Sequence, residues 1–220
     1  MAFCYNNIGT VHKNKQEYDL AIEYFLKSLK MKEELGNKKA MASSYNNIGN
    51  AYQDKGDADK AIDFYSKALA IYEEFGNKKE MAIAYNNIGN LFLKTDKAEE
   101  AKKLSLKSLT IAKEIGAKDE IKDAYLSLSN YSDTFGNFKD AYQYHKLYAE
   151  IKDSIFNEAS NEQITEMQTK YETEKKEQQI TLLNKDKELQ KRSTESSENN
   201  HLVSGGRIIS RAYTFHFHFS

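Results

Sequence analysis

Tyr45-Asn46-Asn47-Ile48-Gly49 decides the fold, because the same five residues recur as Tyr5-Asn6-Asn7-Ile8-Gly9 and as Tyr85-Asn86-Asn87-Ile88-Gly89. A worn copy, Tyr125-Leu126-Ser127-Leu128-Ser129, follows, so the step is 40 residues each time. Ala21, Ala61, Ala101 and Ala141 keep the same step. So do Gly36-Asn37-Lys38-Lys39, Gly76-Asn77-Lys78-Lys79 and Gly116-Ala117-Lys118-Asp119. Self-similarity at a fixed period of this size marks stacked supersecondary units.

Working outward from the quoted stretch, each unit divides into two helices. Met41, Tyr45, Ile48, Gly49 and Tyr52 fall on one face at steps of three and four. Lys55-Gly56-Asp57 interrupts the pattern as a turn. Ala61, Ile62, Tyr65, Ala68, Leu69 and Tyr72 then form a second apolar face. Phe75-Gly76-Asn77 ends it, with Gly76 placed as a left-handed cap. The small residues Gly49 and Ala61 let two backbones approach, with Tyr45, Tyr52 and Tyr65 filling the space around them. Leucine at Ala61 would overpack that contact at a cost of about 1–3 kcal/mol. A single helical hairpin cannot bury its apolar face, so successive hairpins must stack.

The order aromatic, Ile-Gly, aromatic, Ala, aromatic, Ala resembles the tetratricopeptide-repeat signature. The second unit carries it most fully, in Tyr45, Ile48, Gly49, Tyr52, Ala61, Tyr65 and Ala68. The first keeps Tyr5, Ile8, Gly9, Ala21 and Phe25 but has His12 and Ser28. The third keeps Tyr85, Ile88, Gly89, Phe92 and Ala101, then has Ser105 and Ser108. The fourth keeps Tyr125, Leu128 and Ala141, with Ser129 in place of glycine. The period is longer than the usual ~34 residues, and no unit has the proline that often closes such a repeat. Both departures resemble the forty-residue subclass of the LGN/Pins polarity scaffolds and kinesin light chains. The resemblance implies an all-α solenoid, a right-handed superhelix of helix-turn-helix units. Four units are expected over residues 1–158, at about 1–37, 38–77, 78–117 and 118–158, followed by a long C-terminal helix.

The resemblance also implies a function: a concave groove along the first helices that holds a peptide or partner protein. Asparagine is a mediocre helix former, yet it recurs in mid-helix. By resemblance to asparagines at matching positions in the subclass, the groove is assigned to Asn7, Asn47, Asn50, Asn87, Asn90 and Asn130. The bland alternative is that some of these amides bond neighbouring helices. Tyr5, Tyr45, Tyr65 and Tyr85 are at core spacing and read as packing. Lys38-Lys39 and Lys78-Lys79 read as solvated turn residues.

Beyond about Asn157 the texture changes. Residues 159–192 alternate charge through Glu172, Lys175, Lys176, Glu177, Lys185, Asp186, Lys187 and Glu188, which favours one exposed helix about 50 Å long. Ile164, Met167 and Tyr171 open a heptad seam. Glu174 and Gln178 interrupt it, and Ile180, Leu183 and Leu189 resume a looser stripe. The segment is read either as a solvated capping helix or as a coiled coil that makes a homodimer. Around Lys170-Tyr171-Glu172-Thr173-Glu174-Lys175-Lys176 it resembles the linker that follows such repeats in bacterial sensor histidine kinases. The alternative function is therefore a sensory, dimerising segment of a larger signal-transduction protein. Residues 193–220 are expected to be a disordered or aberrant tail, polar over Ser193–Asn200, with the end of the stretch Arg207–Ser220 strand-like in its alternation of aromatic and polar residues. Met1 aligns with Met41 and Met81, inside the repeat frame, so both chain ends are expected to be cut.

The remaining signals are exclusions. Of the 220 residues 40% are hydrophobic and 30% charged, with no proline or tryptophan and a formal net charge of −1. That balance gives no field for nucleic acid. Cys4 is the single cysteine, which forbids an internal disulfide and suits a reducing compartment. No stretch approaches the ~18 apolar residues of a membrane span, and no signal peptide is visible. A cytoplasmic location is expected, with a periplasmic part of an anchored sensor as the alternative. Searches for GxSxG, HExxH, GxxxxGK and CxxC find nothing. Neither an enzyme nor a cofactor is expected. His216 and His218 are too few to argue for a metal.

Overall fold

The computed structural model describes residues 1–95 and 97–216, with side chains described up to residue 194. Its helices run in chain order as α1 (Ala2–Asn14), α2 (Tyr18–Glu34), α3 (Lys38–Lys55), α4 (Ala58–Glu74), α5 (Lys78–Lys94), α6 (Ala98–Glu114), α7 (Lys118–Thr134) and α8 (Phe138–His216). The chain forms two compact units, Met1–Glu158 and Ala159–Ser220, with the division inside α8.

Turn chemistry sets the hairpins of the first unit. Gly76 has φ +64°, in a region that costs an L side chain roughly 1–2 kcal/mol. The Asn77 N–H then closes back onto the Tyr72 carbonyl at 2.9 Å, which satisfies an end-of-helix acceptor. Within the hairpins, Asp57 caps α4 by accepting from the Lys60 N–H at 3.3 Å, as Asn37 caps α3 from Ala40 at 3.0 Å. At the tight turn of the first hairpin Gln16 holds φ 63°, where the second hairpin has Gly56.

The cores lie between units. Ala21, Ile22, Phe25 and Leu29 of α2 pack with Ile48 and Ala51 of α3. Ala61 and Tyr65 of α4 pack with Ile88 and Leu91 of α5. Leu109 and Ala112 of α6 join Ile121, Ala124, Tyr125 and Leu128 of α7. Each hairpin's second helix is thus covered by the next hairpin's first helix. Burying Ile48 completely is worth about 1.5–3 kcal/mol.

The close contact inside a hairpin differs from the expected backbone approach at Gly49. A Cβ there would sit 2.7 Å from Tyr65 Cδ1, so the glycine's missing side chain makes room for a ring. Gly9 is likewise roofed by Phe25, with the Ala21 carbonyl oxygen at 3.1 Å from the Cβ position. At Gly89 the nearest atoms are the Ala101 carbonyl oxygen and Ser105 Oγ, both 3.2 Å away.

The Lys38 and Lys78 side chains also depart from the expected solvated turns. Each opens a helix and reaches the far end of its own hairpin: Lys38 pairs with Glu74 at 2.9 Å, and Lys78 pairs with Glu114. Lys118 repeats the motif on Glu158 and donates to Ser154 at 3.1 Å, because Ser154 stands where the earlier hairpins have glutamate. Such half-exposed pairs are worth well under about 1 kcal/mol each, so they tune a stack held by its apolar joints.

In the second unit, Ile164, Met167, Tyr171, Leu182, Leu183 and Leu189 are all more than half exposed. Thr165, Thr169 and Thr173 turn their hydroxyls back to carbonyls four residues earlier. The backbone is helical through 193–216, which corrects the strand-like reading of Arg207 onward as far as His216. Among the described residues no strand is present for such an alternating segment to pair with. The side chains of residues 195–220 lie outside the described residues, and with them the His216–His218 pair.

Candidate functional site

The odd-numbered helices share one side of the first unit. On α3, Ser43, Asn47, Asn50 and Asp54 lie at steps of four, three and four, which form one stripe. Phe3, Asn7, Thr10 and Asn14 are its counterparts on α1. Ile83, Asn87, Asn90 and Lys94 follow on α5, then Asp123, Ser127, Asn130 and Thr134 on α7. Side chains join successive odd helices: Asn47 to Asn6, Lys13 to Asp54 at 3.2 Å, and Lys79 to Glu120 at 3.5 Å. Among the described residues no hydrogen bond or ion pair joins successive even helices.

The six asparagines assigned from the sequence fall on this stripe but differ in what they hold. Asn7 and Asn130 are exposed, while Asn47, Asn50, Asn87 and Asn90 are half-buried. Asn47 donates through Nδ2 to Asn6 Oδ1 at 2.9 Å, the inter-helix bond that the bland alternative requires. Asn50 Oδ1 accepts from the Tyr65 hydroxyl at 2.6 Å, and Gln53 Oε1 lies 3.0 Å from the same oxygen. One hydroxyl carries one proton. The shorter contact assigns it to Asn50. Tyr65 therefore ties the stripe to the core; its burial pushes its own ionisation far above the usual tyrosine range. The side-chain amides of Asn7, Asn87 and Asn90 make no hydrogen bond among the described residues, so both donors and the acceptor of each remain available.

Asn86 was passed over by sequence reasoning and is buried. Its Oδ1 has no donor among the described residues. It borders a cavity of about 40 Å³ shared with Ala82, Ile83, Asn87, Ser108, Glu120 and Asp123. The Asn47–Asn6 bond is not a repeating bridge: Asn46 and Asn87, in the same register one unit on, make no such bond among the described residues. The equivalent partner for Asn86 stands at position 127, which is serine, and Ser127 Oγ instead donates to the Asp123 carbonyl at 3.0 Å. The worn fourth copy of the motif was the available signal.

The site offers amides and no assembled reactive group. His12 lies flat on Tyr24, at 5.3 Å between ring centres, and bonds Glu17. His145 packs on Tyr148 at 5.4 Å. Among the described residues no group of three or more His, Cys, Asp or Glu is placed to hold a metal. No helix among them is long and apolar enough to cross a membrane.

Residues 1–74 match a family model described as tetratricopeptide repeat, and residues 82–115 match a second model of the same description. No curated protein matches the chain. Among solved structures it is similar to BtubC (BKLC) from P. vanneervenii, at 18% identity over 70% of this chain and 64% of that one, with TM-score 0.64. The apo form of RapI is similar at 16% identity, covering 71% of this chain and 57% of that one, with TM-score 0.66. Aspartyl phosphate phosphatase F from Bacillus subtilis is similar at 18% identity, covering 69% and 49%, with TM-score 0.51. The chain thus spans about half to two thirds of the length of these structures, and identities this low speak for the fold alone.

Proposed function

The chain belongs to the tetratricopeptide-repeat proteins, and on that premise we propose that it is a protein-interaction module whose odd-helix side forms a concave groove for an extended peptide segment of a partner. The observation that carries the reading is the row of half-buried amides with unused hydrogen-bonding capacity at Asn87 and Asn90. A side-chain amide can give a donor and an acceptor to the same peptide unit. Asn7 and Asn130 extend the row at its ends. Asn50 contributes its Nδ2, since Tyr65 occupies its oxygen. Asn47 contributes its oxygen and otherwise holds α1 to α3. Such a role calls for no catalytic group or cofactor. An exposed Cys4 without a partner thiol suits the cytoplasm.

The test uses the full chain. A photoreactive residue at Asn90 should crosslink a partner that the same residue at Ala70, exposed on α4, does not capture. Alanine at Asn47, Asn50, Asn87 and Asn90 together should weaken that partner at least about tenfold, since each lost hydrogen bond is worth about 0.5–1.5 kcal/mol, with helical circular dichroism unchanged. Equal affinity of the quadruple variant rejects the groove.

The exposed apolar residues of the second unit favour an additional reading, self-association through residues 159–192 as in a dimerising signalling segment. Ile164, Met167 and Tyr171 sit on an otherwise charged helix. Light scattering should give twice the chain mass, and Met167→Glu should return it to one. A monomer at high concentration removes this reading and leaves the groove untouched.

A further inference from the structure

The second helices of the first three hairpins carry the same exposed turn with different charge. In α2, Lys27 pairs with Glu23 four residues before it at 2.6 Å, and in α4, Lys67 pairs with Asp63 at 2.6 Å. The matching pair in α6 is Lys103 and Lys107, two like charges on one face, which weakens a helix. Lys102 adjoins them where α2 and α4 have Ile22 and Ile62. Among the described residues none of the three lysines has an ion pair; Lys107 lies over the Tyr85 ring at 5.1 Å and Lys102 over Tyr131 at 5.5 Å. They border a cleft of about 660 Å³ with Leu106, Ile111 and Tyr85. Leu106 is 39% exposed. Among the described residues one carboxylate lines the cleft, Glu99, and it accepts from the Tyr131 hydroxyl at 3.0 Å.

The cleft has apolar walls in Leu106, Ile111 and Tyr85, and three cations against one hydrogen-bonded carboxylate leave its rim net positive, which selects an anionic partner. We propose that the α6 cleft is a second docking site, separate from the asparagine stripe, for an acidic amphipathic helix of a partner protein: a leucine or similar residue enters beside Leu106, and flanking glutamates or aspartates meet Lys102, Lys103 and Lys107. Charge complementarity decides the occupant. A nucleic acid would need a longer basic track than two turns of one helix provide, and the chain's net charge of −1 gives it no further attraction.

The experiment measures fluorescence anisotropy of a labelled synthetic helical peptide of glutamate, leucine and alanine, with leucines four apart and glutamates beside them, added to the full chain. Saturable binding is expected, lost when glutamine replaces the glutamates. Lys103→Glu installs the acid–lysine pair that α2 and α4 already carry, so the helix is retained, and binding should weaken about tenfold or more. Leu106→Ser, which places the residue found at Ser66, should weaken it by removing the apolar contact. Asn90→Ala should leave it unchanged, which separates this cleft from the groove. Absence of saturable binding, equal binding by the wild type and both variants, or displacement of the peptide by an oligonucleotide or by phosphatidylglycerol vesicles at matched charge would each overturn the assignment.

Discussion

The first two hairpins and the last two close on themselves by different chemistry. In the first pair a ring lies on a glycine: Phe25 on Gly9 and Tyr65 on Gly49. In the third, Ser105 replaces the ring, and Gly89 faces a carbonyl oxygen and a hydroxyl instead. In the fourth the glycine itself is gone, and Ser129 Oγ donates to the Ala141 carbonyl at 3.0 Å. The two helices of each hairpin meet throughout. What changes is whether the joint is apolar packing or a polar contact: the third hairpin keeps the glycine and loses the ring, and the fourth loses the glycine while His145, at the ring position, packs on Tyr148. A glycine is needed where a ring must fit. Where no ring covers it, the glycine's place can be taken by a small hydroxyl residue that satisfies a carbonyl, as Ser129 does.

The contrast is broken most severely at Tyr65, which is fully buried. Tyr65→Ala should cost about 3–5 kcal/mol, seen as a lowered urea midpoint, and should also free Asn50 on the stripe. Next comes the glycine. Gly49→Ala drives a methyl into the Tyr65 ring, and overpacking of this kind costs about 1–3 kcal/mol. Gly89→Ala meets its neighbours at 3.2 Å, and the gain of about 1 kcal/mol in helix propensity opposes the crowding, so the net change should be smaller. Equal losses at the two glycines would show that the ring does not set the requirement.

Much of this architecture is legible in the residues alone. The forty-residue step, the helix pair, Gly76 as a cap and the core roles of Ile48, Ala61 and Tyr65 follow from periodicity and size. The partner of Gly49 does not, because spacing gives a face and not which atom fills it. Lys38 and Lys78 look like loop charges until the hairpin brings Glu74 and Glu114 beside them across 36 residues of chain. The asparagine row was legible as a row, but the division of labour within it was not. Whether Asn47 faces a ligand or Asn6 depends on how closely α1 and α3 approach.

That division gives a finer probe of the same contrast between early and late units. Asn47 bridges to Asn6, whereas Ser127 Oγ turns to the Asp123 carbonyl and leaves Asn86 Oδ1 unpaired. Ser127→Asn would offer Asn86 Oδ1 a donor and should raise stability by about 1 kcal/mol, read as a higher urea midpoint. The companion change Asn47→Ser should lower it by a similar amount. If Ser127→Asn destabilises, the cavity beside Asn86 is too small for the added amide and the bridge does not carry over between units.

The smallest effect concerns two tyrosines at one register, Tyr45 and Tyr85. The Tyr85 hydroxyl donates to Glu73 at 2.5 Å, while the Tyr45 hydroxyl lies 3.5 Å from Glu33. Burial, and then the carboxylate beside it, push the Tyr85 ionisation up to about 12; Tyr45 is also raised, by burial first and then the Glu33 charge, with the Lys67 ammonium opposing. An unfolded tyrosine ionises near 10, so the folded chain holds this proton more tightly than the unfolded one. The contribution to stability is fully present below pH 10 and is lost as pH rises from about 10 through about 12. Glu73→Gln should bring the Tyr85 titration, followed by tyrosinate absorbance, down toward ordinary while leaving it raised by burial. Glu33→Gln should move Tyr45 less, because the longer contact leaves that carboxylate less to contribute. A Tyr85 curve unmoved by Glu73→Gln would place the whole shift on burial and erase the difference between the two joints.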